Sequence, residues 1–119
     1  MADLQAGYLA CPIRQVISRF GDKWSMLVLY SLHTSETGVL RFNELRRLMT
    51  DCSQKMLSAT LKNLEQNHLV CRKVYPVVPP RVEYSLTDTG KSLMPAISSL
   101  IDWAQHHFDD VVHGKVILD

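Results

Sequence analysis

Asn43-Glu-Leu-Arg-Arg-Leu-Met49, then Thr50-Asp51-Cys52, then Ser53-Gln-Lys-Met-Leu-Ser-Ala-Thr-Leu-Lys-Asn-Leu-Glu-Gln66, is the stretch that constrains the chain most. The first block puts Leu45, Leu48 and Met49 on one helical face, because apolar residues three and four apart share a face. The last block repeats that spacing at Leu57, Leu61 and Leu64. Ser53 precedes it as a good N-cap, a side-chain oxygen that can accept a free backbone N–H. Two helices across a three-residue turn make a helix-turn-helix.

Outward from this unit the pattern stays legible. Upstream, Ile13, Val16, Ile17 and Phe20 predict a helix closed by Gly21. Lys23 to His33 is apolar almost all round, which predicts the buried centre of a small domain. Thr34 to Gly38 is a polar loop, and Val39-Leu40-Arg41 reads as a short strand. Downstream, Leu69–Tyr75 and Val82–Leu86 are β-rich. Pro76-Val-Val-Pro-Pro-Arg81 lies between them. Prolines cannot continue a ladder, so a hairpin with a stiff, exposed tip is expected. Thr87 then starts a long helix with Leu93, Ile97, Leu100, Ile101, Ala104 and Phe108 in one stripe.

The 119 residues suit one domain over 1–119, with a core at about 11–108. An apolar content of 46% excludes a disordered chain. No apolar run approaches the ~20 residues of a membrane span, and Met1 to Gly7 lacks the features of a secretory signal. Cys11, Cys52 and Cys71 are odd in number and widely spaced. They form neither a disulfide framework nor a zinc ligand set, so a cytoplasmic location and no metal are expected. His33, His68, His106, His107 and His113 show no ligand spacing. No phosphate loop or nucleophile elbow is present, so neither catalysis nor a cofactor is expected. The net charge of +1 hides an asymmetry: residues 41–81 carry eight basic and three acidic side chains, whereas 82–119 carry two and six. The basic middle could face a polyanion. A solvated basic surface is the plainer alternative.

A helix-turn-helix followed at once by a β-hairpin is the order of a winged helix. The chain resembles the HxlR-type winged helix regulators, close to the MarR group. The resemblance rests on Cys11-Pro12, Gly21-Asp22-Lys23-Trp24, Arg41-Phe42-Asn43-Glu44-Leu45, Ser53-Gln54-Lys55-Met56-Leu57, and Val78-Pro79-Pro80-Arg81-Val82-Glu83-Tyr84-Ser85-Leu86-Thr87 with Gly90. It implies an α+β winged helix-turn-helix domain, with extra N- and C-terminal helices forming a dimer interface. It also implies a homodimeric regulator of transcription on double-stranded operator DNA. In some members the cysteine matching Cys11 senses electrophiles or oxidants.

With Leu57, Leu61 and Leu64 inward, Lys55, Ala59, Lys62 and Gln66 point away from the core, flanked by Ser58 and Asn63. The first turn of a recognition helix comes nearest to base edges. Gln54, Lys55 and Ser58 are therefore the candidate base readers, with Ser53 at the cap. Lys62 suits phosphate, and Ala59 permits close approach. Arg81 at the wing suits a minor groove. Arg41, Arg46, Arg47 and Lys73 are candidate phosphate contacts, with solvation as the alternative for each.

Pro12 suits the first helical position, which would put Cys11 at an N-cap. There the helix dipole favours a thiolate and so a reactive sulfur; an inert buried thiol is the alternative. Cys52, in the turn, and Cys71, in a strand, read as structural, although oxidation at Cys52 could disturb DNA binding directly. Leu100, Ile101, Ala104 and Phe108 are candidate dimer contacts, together with the first helix. Trp24 and Trp103 are assigned to the core or the dimer contact. Two rival readings fit the same residues. One is a winged helix switched by a non-covalent small-molecule inducer in the cleft beside the last helix. The other is a winged helix used as a protein-interaction module.

Overall fold

The computed structural model describes residues 12–114. Cys11 lies outside them, as do the other residues before Pro12. The elements run α1 (Pro12–Ile17), α2 (Lys23–Thr34), β1 (Val39–Arg41), α3 (Phe42–Leu48), α4 (Gln54–Gln66), β2 (Val70–Tyr75), β3 (Arg81–Leu86), α5 (Asp88–His106) and α6 (Phe108–Val112). The three strands form one antiparallel sheet in the order β1-β3-β2. Helices packed on a small antiparallel sheet give the α+β winged helix-turn-helix expected.

The core collects what the periodicities put inward. Val28, Leu29 and Leu32 of α2 lie at its centre, with Leu45, Leu57, Leu61, Leu64, Met94 and Ile97 around them. Each such aliphatic side chain contributes about 1.5–3 kcal/mol on full burial. Asp22 starts α2 by accepting from the Ser25 N–H at 3.0 Å. Trp24 is half-buried against the core, under the Lys23 ammonium, and contributes to it as expected.

The sheet carries the wing. β2 and β3 pair from Val70 opposite Leu86 to Tyr75 opposite Arg81. Residues 76–80 form the tip, where Val78 is 100% exposed. β1 adds to the far edge of β3, with Leu40 opposite Tyr84. One face of β3 is buried through Tyr84 and Leu86; the other holds Arg81, Glu83 and Ser85.

Several elements differ from expectation. The first helix stops at Ile17, short of Phe20. The chain turns under it, with the Gly21 N–H donating to the Ile17 carbonyl at 2.7 Å. A Cβ at Gly21 would stand 2.8 Å from that carbonyl, so the turn needs glycine. Leu48 does not join Leu45 and Met49 inside. It is 61% exposed, because the core contacts of this segment run along the line of Phe42, Leu45 and Met49.

The last helix breaks. α5 ends at His106, and Phe108 belongs to α6. The His107 imidazole stacks on Trp103 at 4.5 Å between centroids and its Nδ1 lies 2.9 Å from the Trp103 carbonyl. A side chain that engages the preceding turn's carbonyl offers an alternative to helix continuation. The stripe also divides. Ile97 is buried, and Leu93 and Ile101 pack against the core. Leu100, Trp103 and Phe108 are exposed, as is Ala104.

Candidate nucleic-acid interface

Helix α4 is held at both ends. Ser53 caps its start, its hydroxyl accepting from the Met56 N–H at 3.1 Å. At its end His68 adopts a left-handed φ of 62°. This lets the Leu69 and His68 N–H groups reach back to the Leu64 and Glu65 carbonyls, each at 3.0 Å. Both bonds close the helix in a Schellman turn, with Leu69 buried against Leu64. The next helix is braced against the same corner. Thr87 caps α5 through the Gly90 N–H at 3.0 Å, and its hydroxyl donates to the His68 carbonyl at 2.7 Å. A Cβ at Gly90 would press into the Leu69 carbonyl oxygen at 2.2 Å.

The two faces of α4 separate cleanly. Leu57, Thr60, Leu61 and Leu64 are buried. Ser53, Gln54, Lys55, Ser58, Ala59 and Lys62 are all exposed, so the candidate readers share one open surface. Met56 joins them in the first turn; its apolar side chain gave no polar signal in the sequence. Asn63 is drawn aside, because its Nδ2 donates to the Arg19 carbonyl at 3.1 Å. That bond ties the segment after α1 to the recognition helix.

A concavity of about 570 Å³ opens between α3 and the start of α4, lined by Asn43, Arg46, Arg47, Ser53 and Gln54 among others. Arg46 and Arg47 thus stand beside the positive end of α4, where anions are favoured. Cys52 also borders it. Burial pushes its thiol above the ordinary value, the Asp51 carboxylate adds to this, and Lys23 opposes it. Cys71 is exposed on β2, and both thiols are free.

The wing places its cations differently from the sequence reading. Arg81 is the first residue of β3 and does not project from the tip. Its guanidinium lies 4.5 Å from the Tyr75 ring centroid, and its Nε is 3.4 Å from Glu83 Oε2. Lys73 shares that ring, with Nζ at 5.0 Å. Arg41, on β1, is exposed, and its backbone N–H donates to Glu44 Oε1 at 2.8 Å. Among the described residues no helix is long and apolar enough to cross a membrane.

A model of the HxlR-like helix-turn-helix family matches residues 19–111. The chain belongs to the HxlR-like family. An uncharacterised HTH-type transcriptional regulator of Methanothermobacter thermautotrophicus is 43% identical over 95 residues, covering 80% of this chain and 70% of that one. The solved structure of the ytfH transcriptional regulator from Salmonella typhimurium superposes with a TM-score of 0.76 at 39% identity, covering 88% of this chain and 91% of that one. The redox regulator HypR in its oxidised form superposes with a TM-score of 0.74 at 38% identity, over 81% of this chain and 96% of that one. This HxlR-like protein is accordingly a transcriptional regulator of the winged helix type.

Proposed function

We propose that this HxlR-like protein works as a homodimer on operator DNA, with α4 in the major groove. The observation that carries this reading is the open face of α4, which joins Gln54, Lys55, Ser58, Ala59 and Lys62 to the Arg46–Arg47 concavity. Gln54, Lys55 and Ser58 read bases; Lys62, Arg41, Arg46 and Arg81 meet the backbone and the neighbouring groove.

Dimerisation is supported by apolar surface that the single chain leaves open. Ile13, Val16 and Ile17 on α1 are exposed, as are Leu100, Trp103, Phe108 and Val111 on α5 and α6. Clustered exposed apolar residues mark interaction surfaces. A two-fold partner would repeat α4 for a two-fold operator.

Cys11 is the proposed thiol switch. It precedes the exposed α1, and the oxidised HypR structure supports redox control in a protein of this shape. Cys52 is a weaker candidate, since its raised thiol pKa leaves little thiolate at neutral pH. A second reading is favoured by a cleft of about 510 Å³ between α1, the end of α4 and α5, with Val16, Phe20, Leu69 and Leu93 in its lining. There a non-covalent inducer would act without thiol chemistry.

The test is fluorescence anisotropy on DNA from upstream of the gene and on random duplex, across a salt series, reduced and oxidised. A dimer making ~6–10 phosphate contacts should lose about 10³–10⁵ in affinity between about 50 and 200 mM salt. Preference for the upstream duplex should vanish on oxidation and persist in the Cys11→Ser variant. Loss of preference in that variant on oxidation would remove Cys11 from the switch.

A further inference from the structure

The wing holds one arginine in a setting that stability alone does not explain. The Arg81 Nε is buried and has no hydrogen-bond partner, yet the side chain is 39% exposed. The exposure therefore lies at its other atoms. Tyr75 lies across the guanidinium and Glu83 stands beside Nε. A guanidinium is planar, with its donors in a fixed fork. The ring bounds the guanidinium on one side and the carboxylate bounds it at Nε. An ion pair at 3.4 Å without a hydrogen bond adds little to stability.

Glu83 is also the centre of a charged row. It pairs with Arg41 on β1 and with Lys73 on β2. Arg81, two residues before it on the same strand, lies on the same face. One carboxylate thus sits among three cations on the outer face of the sheet. Arg41 and Arg81 both line a concavity of about 640 Å³ between the wing tip and the start of α3, with Phe42, Asn43, Val77 and Val78.

We infer that Tyr75 and Glu83 are positioning residues that hold Arg81 as a pre-set two-pronged donor toward DNA, and that they thereby set discrimination between operator and random duplex. The inference rests on the DNA-binding reading above. Holding the side chain in place before contact removes the ordering that binding would otherwise require. A fixed guanidinium edge suits a paired acceptor, whereas a free one meets any phosphate.

Glu83→Gln separates this role from simple charge, because the two have opposite signs. Deleting a negative charge beside a polyanion strengthens binding to every duplex. Releasing Arg81 weakens the operator complex alone. The probes are a duplex recovered by the wild-type protein from a random library and the unselected library itself. The expected result is a fall of about tenfold in the selected-to-unselected affinity ratio, within what one bidentate contact supplies. The thermal midpoint should be retained. Tyr75→Leu, which leaves the charge unchanged, should lower the ratio likewise, and it carries the test if Glu83→Gln does not fold. Tyr75→Phe and Glu83→Asp should keep the ratio. Equal tightening on both duplexes would make Glu83 a counter-charge only and overturn the inference. Unchanged binding by Arg81→Ala, with Lys55→Ala weakened, would overturn it while leaving α4 as the reader. A wild-type protein with no preference in the selection would overturn the DNA reading itself.

Discussion

Helix α4 and the pair α1 and α5–α6 solve the same problem in opposite ways. Every leucine of α4 is buried within its own chain, and the helix is capped at both ends. What remains outside is mostly polar, with Lys55 and Lys62 among it and Met56 as the one large apolar side chain. The helices α1 and α6 bury no residue at all, and Trp103 on α5 is 53% exposed. A small domain has one core, and α2, α4, the sheet, Leu45 of α3 and the first half of α5 fill it. Apolar residues beyond that core need another surface. Under the function proposed above, the two regions take different partners: nucleic acid for the first and a second copy for the other.

The contrast breaks most visibly under truncation. Leu61→Ala should destabilise the fold by about 2–5 kcal/mol, the range for deleting a buried leucine. Trp103→Ala should cost the monomer no more than about 0.5–1.5 kcal/mol, the range for its one stacked ring contact with His107. It should instead shift the sedimentation coefficient toward the monomer. Denaturant melts of both variants, with sedimentation velocity for the second, check the pair. Equal destabilisation would show that the Trp103 face belongs to the chain's own core.

Charge sharpens the comparison next. Lys62→Ala should weaken binding to all duplexes and lower the salt slope by about one per site, as loss of a phosphate contact does. A titration at several salt concentrations measures it. Thiol chemistry gives a smaller contrast. Cys71 is exposed, while burial and Asp51 raise the Cys52 thiol above its ordinary value. Iodoacetamide near neutral pH should therefore modify Cys71 before Cys52, because the thiolate is the reacting form. Peptide mass spectrometry gives the order, and raising the pH should narrow the gap. The smallest effect is at the end of α4. His68→Gly relieves a left-handed backbone that disfavours side chains by about 1–2 kcal/mol. Glycine's greater freedom in the unfolded chain offsets part of this. A thermal midpoint raised by a few degrees is expected.

Much of this was legible from residues alone. The helix-turn-helix showed because Leu57, Leu61 and Leu64 repeat at helical spacing and Ser53 is a recognisable cap. The wing showed because prolines interrupt two β-rich runs. The family resemblance also pointed where the family match now does. Other features depend on contacts between residues distant in sequence. The three-residue β1 could be named as a strand, but its place at the edge of β3 needs the folded chain. Leu48 has the right spacing to be buried and no neighbour to bury it. The helix break at His107 is accompanied by its ring stacking on Trp103, which a periodic stripe does not encode. Arg81 carries the expected charge, yet its place against Tyr75 and Glu83 needs the folded sheet. Composition gave no signal for that arrangement.

The central claim is that the outer face of α4 reads bases. It is tested most directly by a random-library selection with the wild type beside the Gln54→Ala/Lys55→Ala variant. The account predicts a two-fold symmetric consensus for the wild type. The variant should lose preference at positions within each half-site and retain affinity for duplex in general. An unchanged consensus from the variant would contradict the account and move base reading away from the first turn of α4.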